Sequence, residues 1–210
     1  MRKVQTPSPK RKRKKNPSGC GSCLGKSLSF LIVASVLIAI GVQVLPSMGL
    51  TRRLLQTQYP MKYQNFVEKY ATEFSLEQEL VFAIIRTESK FDPYAVSKTG
   101  ARGLMQIQSE TAEDCFRELH LTDFTPDALF DPEVNIRIGC YYFSKLLKRY
   151  EGKVSLAVAA YNGGLGNVEK WLKDKEYTNA QGELVKIPFS ETRNYVMRVN
   201  RAYEKYCELY

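Results

Sequence analysis

The chain has 210 residues and a formal net charge of +9, a length that suits one soluble domain and a smaller segment. The charge is concentrated at one end: removing the nine Lys and Arg of residues 1–27 from the total of 31 leaves 22, equal to the number of Asp and Glu. The rest of the chain is therefore formally neutral. This balance argues against a nucleic-acid-binding domain and against nucleic acid as a partner.

The first 60 residues divide into a tail, a span and a linker. Residues 1–27 are basic and rich in Pro and Gly, which predicts a disordered tail. Residues 28–45 carry no charge and are long enough for a single transmembrane helix. The positive-inside rule places the tail in the cytoplasm and the later residues outside the cell membrane. Residues 46–60 form a linker with a helical turn at 52–57. We favour an uncleaved signal-anchor; the alternative is cleavage at Ser47-Met48-Gly49.

From residue 61 to residue 210 the apolar positions recur with the period of a helix and show no convincing alternation of period two. This pattern predicts one compact, all-α domain. The polar stretch 177–188 is expected to form an excursion or a small hairpin. The predicted helices are 62–74, 77–89, 109–119, 132–150, 154–162, 166–174 and 191–208.

Three short motifs predict where helices begin. Ser75 and Gln78 have the spacing of a capping box in front of the helix 77–89. Asp131 and Pro132 have the residue types typical of an N-cap and a first helical position. Ser109 is expected to cap the helix that it opens.

Histidine and cysteine usage limits the possible chemistry. The single histidine, His120, lies in a predicted helix-end turn, and its spacing from Cys115 does not place the two side chains face to face. No cluster has the spacing of metal ligands, and the run Gly163-Gly164-Leu165-Gly166 is not a nucleotide-binding loop. No metal and no cofactor are therefore predicted. Acid–base catalysis by carboxylates remains.

The five cysteines do not form a disulfide framework. Cys20 and Cys23 lie in the basic tail, where one C-x-x-C pair is half a zinc site at most; inert thiols are favoured over acylation. Cys115, Cys140 and Cys207 lie in the outer domain. One pair of these three could form a bridge.

Glu88 is the carboxylate that the sequence singles out. It ends a strongly apolar helix and lies on the same face as Leu80, Val81 and Ile84. Desolvation on that face and the negative end of the helix dipole both favour the protonated carboxyl and raise its pKa. These properties suit a general acid. The alternative is an exposed glutamate paired with Lys or Arg at the end of a helix.

Four short motifs lie at the ends of the predicted helices and in the loops between them. The glycines among them permit tight turns, while Gln106 and Asn162 offer amides for hydrogen bonds. The motifs are Glu88-Ser89-Lys90-Phe91, the run from Ser97 through Gly100-Ala101-Arg102-Gly103-Leu104-Met105-Gln106 to Ile107, Ala160-Tyr161-Asn162-Gly163-Gly164, and Glu191-Thr192 with Tyr195-Val196. Taken singly, each is also explained by helix capping or by aromatic packing.

Together the four motifs resemble the lytic transglycosylases of the soluble-lytic type, over about residues 62–207. The resemblance implies a lysozyme-like fold of the goose type and peptidoglycan glycan strands as the substrate; it does not specify a protein partner. It implies Glu88 as the single catalytic residue. Substrate-binding positions would be Ser97, Met105, Gln106, Tyr161, Asn162, Glu191 and Tyr195, with Tyr161 and Tyr195 able to stack on sugars. Glu191 is expected to be structural or to assist Tyr195.

One departure from the family pattern is Gln108-Ser109, where the family commonly has Met-Pro. Two rival functions stay open at this point. One is a lysozyme-like hydrolase that uses water as the nucleophile. The other is a wall-binding module without activity, against which the retained Glu88 motif argues.

Overall fold

A computed structural model describes residues 33–35, 38, 49 and 51–210 of the chain. Residues Arg52–Tyr210 form a compact unit. The tail 1–27, with Cys20 and Cys23, lies outside the described residues, as does most of the predicted span 28–45. Among the described residues, no helix has the length and apolar character needed to cross a membrane.

The described part of the domain is helical, with isolated β-bridges in its loops, as the periodicity predicts. Each predicted helix of residues 61–210 is present to within two residues at either end. A first helix, α1, spans residues 51–58 and confirms the helical turn expected in the linker. The others are α2 (Gln64–Glu73), α3 (Gln78–Glu88), α4 (Ser109–Glu118), a 3-10 helix (Pro126–Phe130), α5 (Pro132–Arg149), α6 (Val154–Gly163), α7 (Leu165–Lys173) and α8 (Ser190–Leu209).

The apolar helix α3 lies at the centre of the domain. Its residues from Leu80 to Ile85 are all buried, so it presents apolar side chains on every face rather than on one stripe. It packs mainly on α8, and α8 in turn packs on α6. The α5 helix packs on α2 and α6 and closes the other side of the core. The last turn of α3 is therefore held between well-packed helices.

Of the three predicted helix caps, one is confirmed by the structure and two are wrong. The Asp131 carboxylate accepts a hydrogen bond from the backbone N–H of Val134 at 2.9 Å, with Pro132 next in the helix, as predicted. The capping box at Ser75 is wrong, because Ser75 adopts a left-handed φ of 57° and Glu77 occupies the N-cap of α3. The cap at Ser109 is also wrong: Gln108 is the N-cap of α4, and no side chain caps that helix.

Two connecting segments have structure of their own. The 3-10 helix at Pro126–Phe130 was not predicted, because its five residues are too few to show a helical period. In the stretch 177–188, a single antiparallel bridge joins Thr178 to Leu184, which confirms a small excursion rather than a developed hairpin.

Candidate active site

One cleft of about 680 Å³ collects residues from all four sequence motifs. Its walls come from the end of α3, the loop between α3 and α4, the end of α6 and the start of α8. Six predicted site residues line it: Glu88, Ser97, Gln106, Tyr161, Asn162 and Glu191. The other lining residues were not predicted as site residues, although Ala101, Gly163 and Thr192 lie within the motifs; the full set is Thr99, Ala101, Gln108, Gly163, Phe189, Ser190 and Thr192.

Glu88 is the last residue of α3, and its carboxyl is partly buried at the cleft. The Tyr195 hydroxyl donates a hydrogen bond to its Oε1 at 2.7 Å. Burial raises the pKa of Glu88 to about 7, against the opposing effects of the Tyr195 hydrogen bond and the positive charge of Arg198. The protonated carboxyl is thus far more accessible near neutral pH than it is for an ordinary glutamate. The predicted desolvation of Glu88 is confirmed, and the group suits proton donation followed by proton uptake.

The loop between α3 and α4 is fixed by a buried amide. Asn135 of α5 accepts a hydrogen bond from Met105 N at 2.8 Å and donates to Arg102 O at 2.9 Å and to Leu129 O at 2.8 Å. Gly103 has a φ of 75°, and a Cβ there would lie 2.2 Å from Leu129 O. The sequence Gly-Leu-Met-Gln therefore turns closely against α5, and only glycine fits the turn.

The same loop presents polar groups to the cleft. The side-chain amide of Gln106 donates through Nε2 to Ala95 O at 3.0 Å and to Gly103 O at 2.9 Å, and these bonds fix the orientation of the amide. The backbone of Gln106 has a left-handed φ of 50°. The Ser97 hydroxyl accepts hydrogen bonds from the backbone N–H groups of Thr99 and Ala101. Both side chains are held before any ligand binds, as a binding site requires.

The departure at Gln108 changes this wall of the cleft. Its Nε2 donates to the Thr99 hydroxyl at 3.0 Å, and the Thr99 and Ser97 hydroxyl oxygens lie 3.0 Å apart. A chain of three polar side chains thus runs along the cleft beside Gln106. A methionine at residue 108 could not donate the hydrogen bond to Thr99.

The end of α6 forms the facing wall. The Tyr161 hydroxyl donates to Met105 O at 2.7 Å, which ties α6 to the turn of the loop. The Asn162 side chain makes no hydrogen bond among the described residues and lines the cleft, so its amide is free for a ligand. At Gly163, a Cβ would lie 2.9 Å from the Thr192 hydroxyl, so glycine permits the close approach of α6 and α8.

Two predicted contact residues lie beneath the cleft surface. Met105 is 0 % exposed, and its sulfur packs against α5, where a Cβ on Gly139 would lie 2.3 Å away. Tyr195 is 2 % exposed. Direct contact of Met105 with a ligand and stacking of Tyr195 on a sugar are therefore corrected: Met105 supports the loop, and Tyr195 orients Glu88. Burial holds the pKa of Tyr195 well above its usual value, so the phenol remains a donor.

Glu191 lies in the first turn of α8, exposed at the cleft. Its carboxylate makes no hydrogen bond or ion pair among the described residues, so the expected assistance to Tyr195 is not observed. Negative charge in the first turn of a helix is favourable. Glu191 is thus a second carboxylate of the cleft, in a far more solvated environment than Glu88.

The cysteines of the domain are free thiols, so the possible bridge between two of them is not formed. Burial raises the pKa of Cys115 to about 12 and also raises that of Cys140, which makes both thiols poor nucleophiles at neutral pH. His120 is exposed in the turn after α4, as predicted. Within the described ranges, no group of His, Cys, Asp and Glu side chains has the arrangement of a metal site.

Comparison with known proteins finds a family match over most of the domain. Residues 65–183 match the model of the transglycosylase SLT domain. The chain is 36% identical to the soluble lytic murein transglycosylase of Salmonella typhimurium over 154 residues, which is 72% of this chain and 24% of that protein. It is 36% identical to the membrane-bound lytic murein transglycosylase C of Yersinia pestis over 166 residues, which is 69% of this chain and 46% of that protein.

Solved structures give the same relationship. The 70-kDa soluble lytic transglycosylase of Escherichia coli superposes with a TM-score of 0.68 at 33% identity, covering 73% of this chain and 25% of that chain. The second structure is an inactive mutant of the lytic transglycosylase Slt of Pseudomonas aeruginosa, in which a glutamate is replaced by glutamine. It superposes with a TM-score of 0.67 at 36% identity, covering 73% of this chain and 25% of that chain. The chain thus spans about a quarter to a half of the length of these relatives.

The hydrogen bond between Tyr195 and Glu88 gives a testable pKa shift. In Tyr195→Phe the carboxylate loses the donor that stabilises its charge, so we expect the pKa of Glu88 to rise above its value of about 7. Titration of carbon-13-labelled glutamate side chains by NMR measures this pKa.

Tyr206→Phe is the matched control, since it removes a hydroxyl that donates to Pro60 O at 3.0 Å instead. The pKa of Glu88 should stay unchanged in this variant. An unchanged or lower pKa in Tyr195→Phe would contradict the assignment of this hydrogen bond.

Proposed function

Because the chain belongs to the transglycosylase SLT family, we propose that it cleaves the β-1,4 bond between N-acetylmuramic acid and N-acetylglucosamine in peptidoglycan and leaves 1,6-anhydromuramoyl ends. The observation that carries the proposal is the state of Glu88. Its pKa of about 7 provides both a proton donor and a base near neutral pH. The cleft around it offers hydrogen-bonding amides and hydroxyls, which are the groups that recognise an uncharged glycan.

In the first step, the protonated Glu88 carboxyl donates its proton to the glycosidic oxygen. The bond from that oxygen to C1 of the muramoyl residue breaks, and the bond electrons leave with the N-acetylglucosamine hydroxyl. Glu88 becomes a carboxylate, which the Tyr195 hydroxyl stabilises by its hydrogen bond of 2.7 Å. Tyr195 therefore lowers the energy of the state in which Glu88 carries charge.

In the second step, the Glu88 carboxylate takes the proton of the muramoyl C6 hydroxyl while the C6 oxygen bonds to C1 of the same sugar. The proton that Glu88 lost is restored, and the 1,6-anhydro ring forms. The nucleophile is tethered to the electrophile, so the reaction is intramolecular and needs neither water nor a second carboxylate. The inactive glutamate-to-glutamine mutant of the Pseudomonas aeruginosa relative supports an essential glutamate in this family.

Sugar recognition is assigned to the partly exposed polar groups that line the cleft. Ser97, Gln106 and Asn162 would hydrogen-bond hydroxyl and acetamido groups, and Tyr161 would offer its ring to a sugar face. Gln106 has both N–H donations committed to backbone carbonyls, so its free carbonyl oxygen is the atom that faces a donor on the sugar.

A hydrolase on the same fold is the second candidate, and the position of Glu191 is the observation that favours it. This exposed carboxylate lines the same cleft as Glu88, and two carboxylates are what glycoside hydrolysis by water ordinarily uses. A hydrolase would leave reducing muramic ends. We expect full-length protein in detergent to release anhydro-ended fragments from purified peptidoglycan, each lighter by one water and resistant to borohydride. Reducing ends as the main product would favour the hydrolase.

The proposed acid is tested by Glu88→Gln, which keeps the shape of the side chain but has no proton to deliver. We expect turnover of peptidoglycan to fall by at least about a hundredfold, the low end of general acid–base contributions. The variant should remain folded, because the folded protein already favours the neutral carboxyl.

Glu191→Gln is the matched control for the same chemical change in the same cleft. A larger loss of turnover in Glu191→Gln than in Glu88→Gln would show that the acid is assigned to the wrong residue. Near-normal turnover in Glu88→Gln would exclude the mechanism.

A second prediction concerns Asn162, whose amide is free in the cleft. In Asn162→Ala a polar group of the sugar loses its partner, so kcat/KM on soluble glycan strands should fall by roughly 5- to 150-fold, the equivalent of about 1–3 kcal/mol. The melting temperature should stay close to that of the wild type.

Asn167→Ala is the control, because the Asn167 amide donates to Gly163 O at 2.8 Å and stabilises the end of α6. We expect a lower melting temperature and an unchanged kcat/KM. If Asn162→Ala behaved in this same way, Asn162 would have a structural role only.

We also propose that residues 28–45 anchor the enzyme in the cell membrane, with the N-terminus in the cytoplasm and the catalytic domain outside. The apolar run and the basic tail support this topology, as does the membrane-bound Yersinia pestis relative. Such an anchor would hold the domain beside the wall polymer.

The topology predicts the outcome of proteolysis on wall-stripped cells. A protease added outside should digest the domain and leave the tail protected. Protection of the domain would contradict the orientation, and a soluble form that begins near Leu50 would show cleavage of the anchor.

A further inference from the structure

A second concave site, which we call the basic pocket, shares no lining residue with the catalytic cleft. It has a volume of about 500 Å³ and is lined by Thr57, Gln58, Pro60, Lys62, Arg86, Lys90 and Phe91. Three of these side chains are cationic, and none is acidic. The function proposed above does not use this pocket.

Arg86 is fixed at the wall of the basic pocket. Its Nε donates to Gln58 O at 3.0 Å, and its guanidinium carbon lies 4.0 Å from the centre of the Tyr59 ring. These contacts leave the two terminal nitrogens of the guanidinium without an ion pair in the described part of the chain. A guanidinium held in this way presents paired N–H donors, which match the oxygens of a phosphate.

The two lysines of the pocket are exposed and have no carboxylate partner among residues 51–210. By contrast, Lys69, Lys145 and Lys186 each lie within 2.8 Å of a glutamate oxygen. Lys90 has a left-handed φ of 54°, and its backbone N–H donates to Arg86 O at 3.2 Å. Its backbone is therefore held one helical turn from Arg86.

The opposite wall of the basic pocket is pinned to α8. The Tyr206 hydroxyl donates to Pro60 O at 3.0 Å, and the Tyr210 hydroxyl donates to Tyr59 O at 2.9 Å. Arg52 of α1 donates to Leu209 O at 2.7 Å. The segment that precedes α2 is thus a fixed part of the domain, and the pocket exists without a ligand.

We propose that the basic pocket binds the phosphodiester headgroup of an anionic lipid at the outer surface of the membrane. Three cations without a carboxylate among them favour binding of an anion, and phosphate is an anion that both Arg and Lys bind well.

The position of the basic pocket in the sequence identifies the source of that phosphate. The proposed span ends at Leu45 and Arg52 lies seven positions later, a distance of at most about 25 Å when the chain is extended. Arg52 lies in α1, whose last residues Thr57 and Gln58 line the pocket, so the pocket is close along the chain to the proposed span. This step rests on the proposed anchor, whereas the charge of the pocket does not.

Binding of a headgroup would orient the catalytic cleft. Arg86 and Glu88 differ by about 200° around the axis of α3, at 100° per residue. The pocket and the carboxyl therefore lie on nearly opposite sides of one helix end. A lipid held by Arg86 and Lys90 would turn Glu88 away from the membrane and toward the wall.

The test uses the full-length chain in nanodiscs and follows hydrogen–deuterium exchange of residues 57–62 and 86–91. The anionic nanodiscs contain about a third of phosphatidylglycerol in phosphatidylcholine. At a headgroup concentration about tenfold above Kd, hydrogen–deuterium exchange in both segments should be about tenfold slower than in nanodiscs of phosphatidylcholine alone. Lys62→Gln with Lys90→Gln should abolish most of this slowing, because each lysine near the surface contributes about a fivefold change in binding.

Lys173→Gln with Lys175→Gln is the control of equal charge, since both lysines are exposed and have no ion pair in the described part of the chain. It should retain the slowing seen in the wild type. An equal loss in this control would show diffuse attraction and overturn the pocket as the site. Unchanged exchange on addition of anionic lipid would overturn the proposal outright.

Three further outcomes would overturn a lipid as the ligand. They are equal slowing by inorganic phosphate in phosphatidylcholine nanodiscs, tighter binding of a soluble poly(glycerol phosphate), and failure of the chain to attach to nanodiscs. Turnover of peptidoglycan does not enter this readout, so failure of the catalytic proposal and failure of the lipid proposal are distinguished.

Discussion

The burial of one carboxyl between α3 and α8 is the constraint on which the site depends. Glu88 ends the buried helix α3, and the hydroxyl of Tyr195 on α8, 107 positions later in the sequence, donates a hydrogen bond to its carboxyl. The packing that forms the core also removes water from the carboxyl and raises its pKa to about 7. Loosening α3 against α8 would restore water and an ordinary carboxylate. Stability and acid strength at this position therefore have the same origin.

The rest of the cleft is built around this carboxyl by polar groups that bind to the backbone. Asn135 holds the turn that carries Gln106, and Tyr161 ties the end of α6 to the same turn through Met105 O. A buried amide with all its groups paired is stable in a core and specifies one arrangement of the loop. The exposed members of the cleft are thereby held in place, although they lie on loops and helix ends.

The last turn of α3 serves two surfaces. Glu88 faces the cleft, whereas Arg86 and Lys90 belong to the basic pocket on the other side. The left-handed backbone at Lys90 and Phe91, with φ of 54° and 66°, ends the helix abruptly and returns Phe91 to the core. Such a conformation is costly for residues other than glycine and persists where the surroundings fix it. One strained turn thus separates the side to which we assign the chemistry from the side that we assign to the membrane.

The sequence by itself determined the helices of the domain, because they depend on the local period of apolar residues, and its motifs singled out Glu88 as the candidate acid. Only the tertiary structure decided which motif residues reach the cleft. Met105 and Tyr195 lie in the motifs yet are buried, while Gln108 and Thr99 reach the cleft wall. The capping at Ser75 and Ser109 was likewise decided by the path of the chain. The physical reason is distance in sequence: Asn135 fixes Met105 from 30 positions away, and no local pattern encodes such a contact.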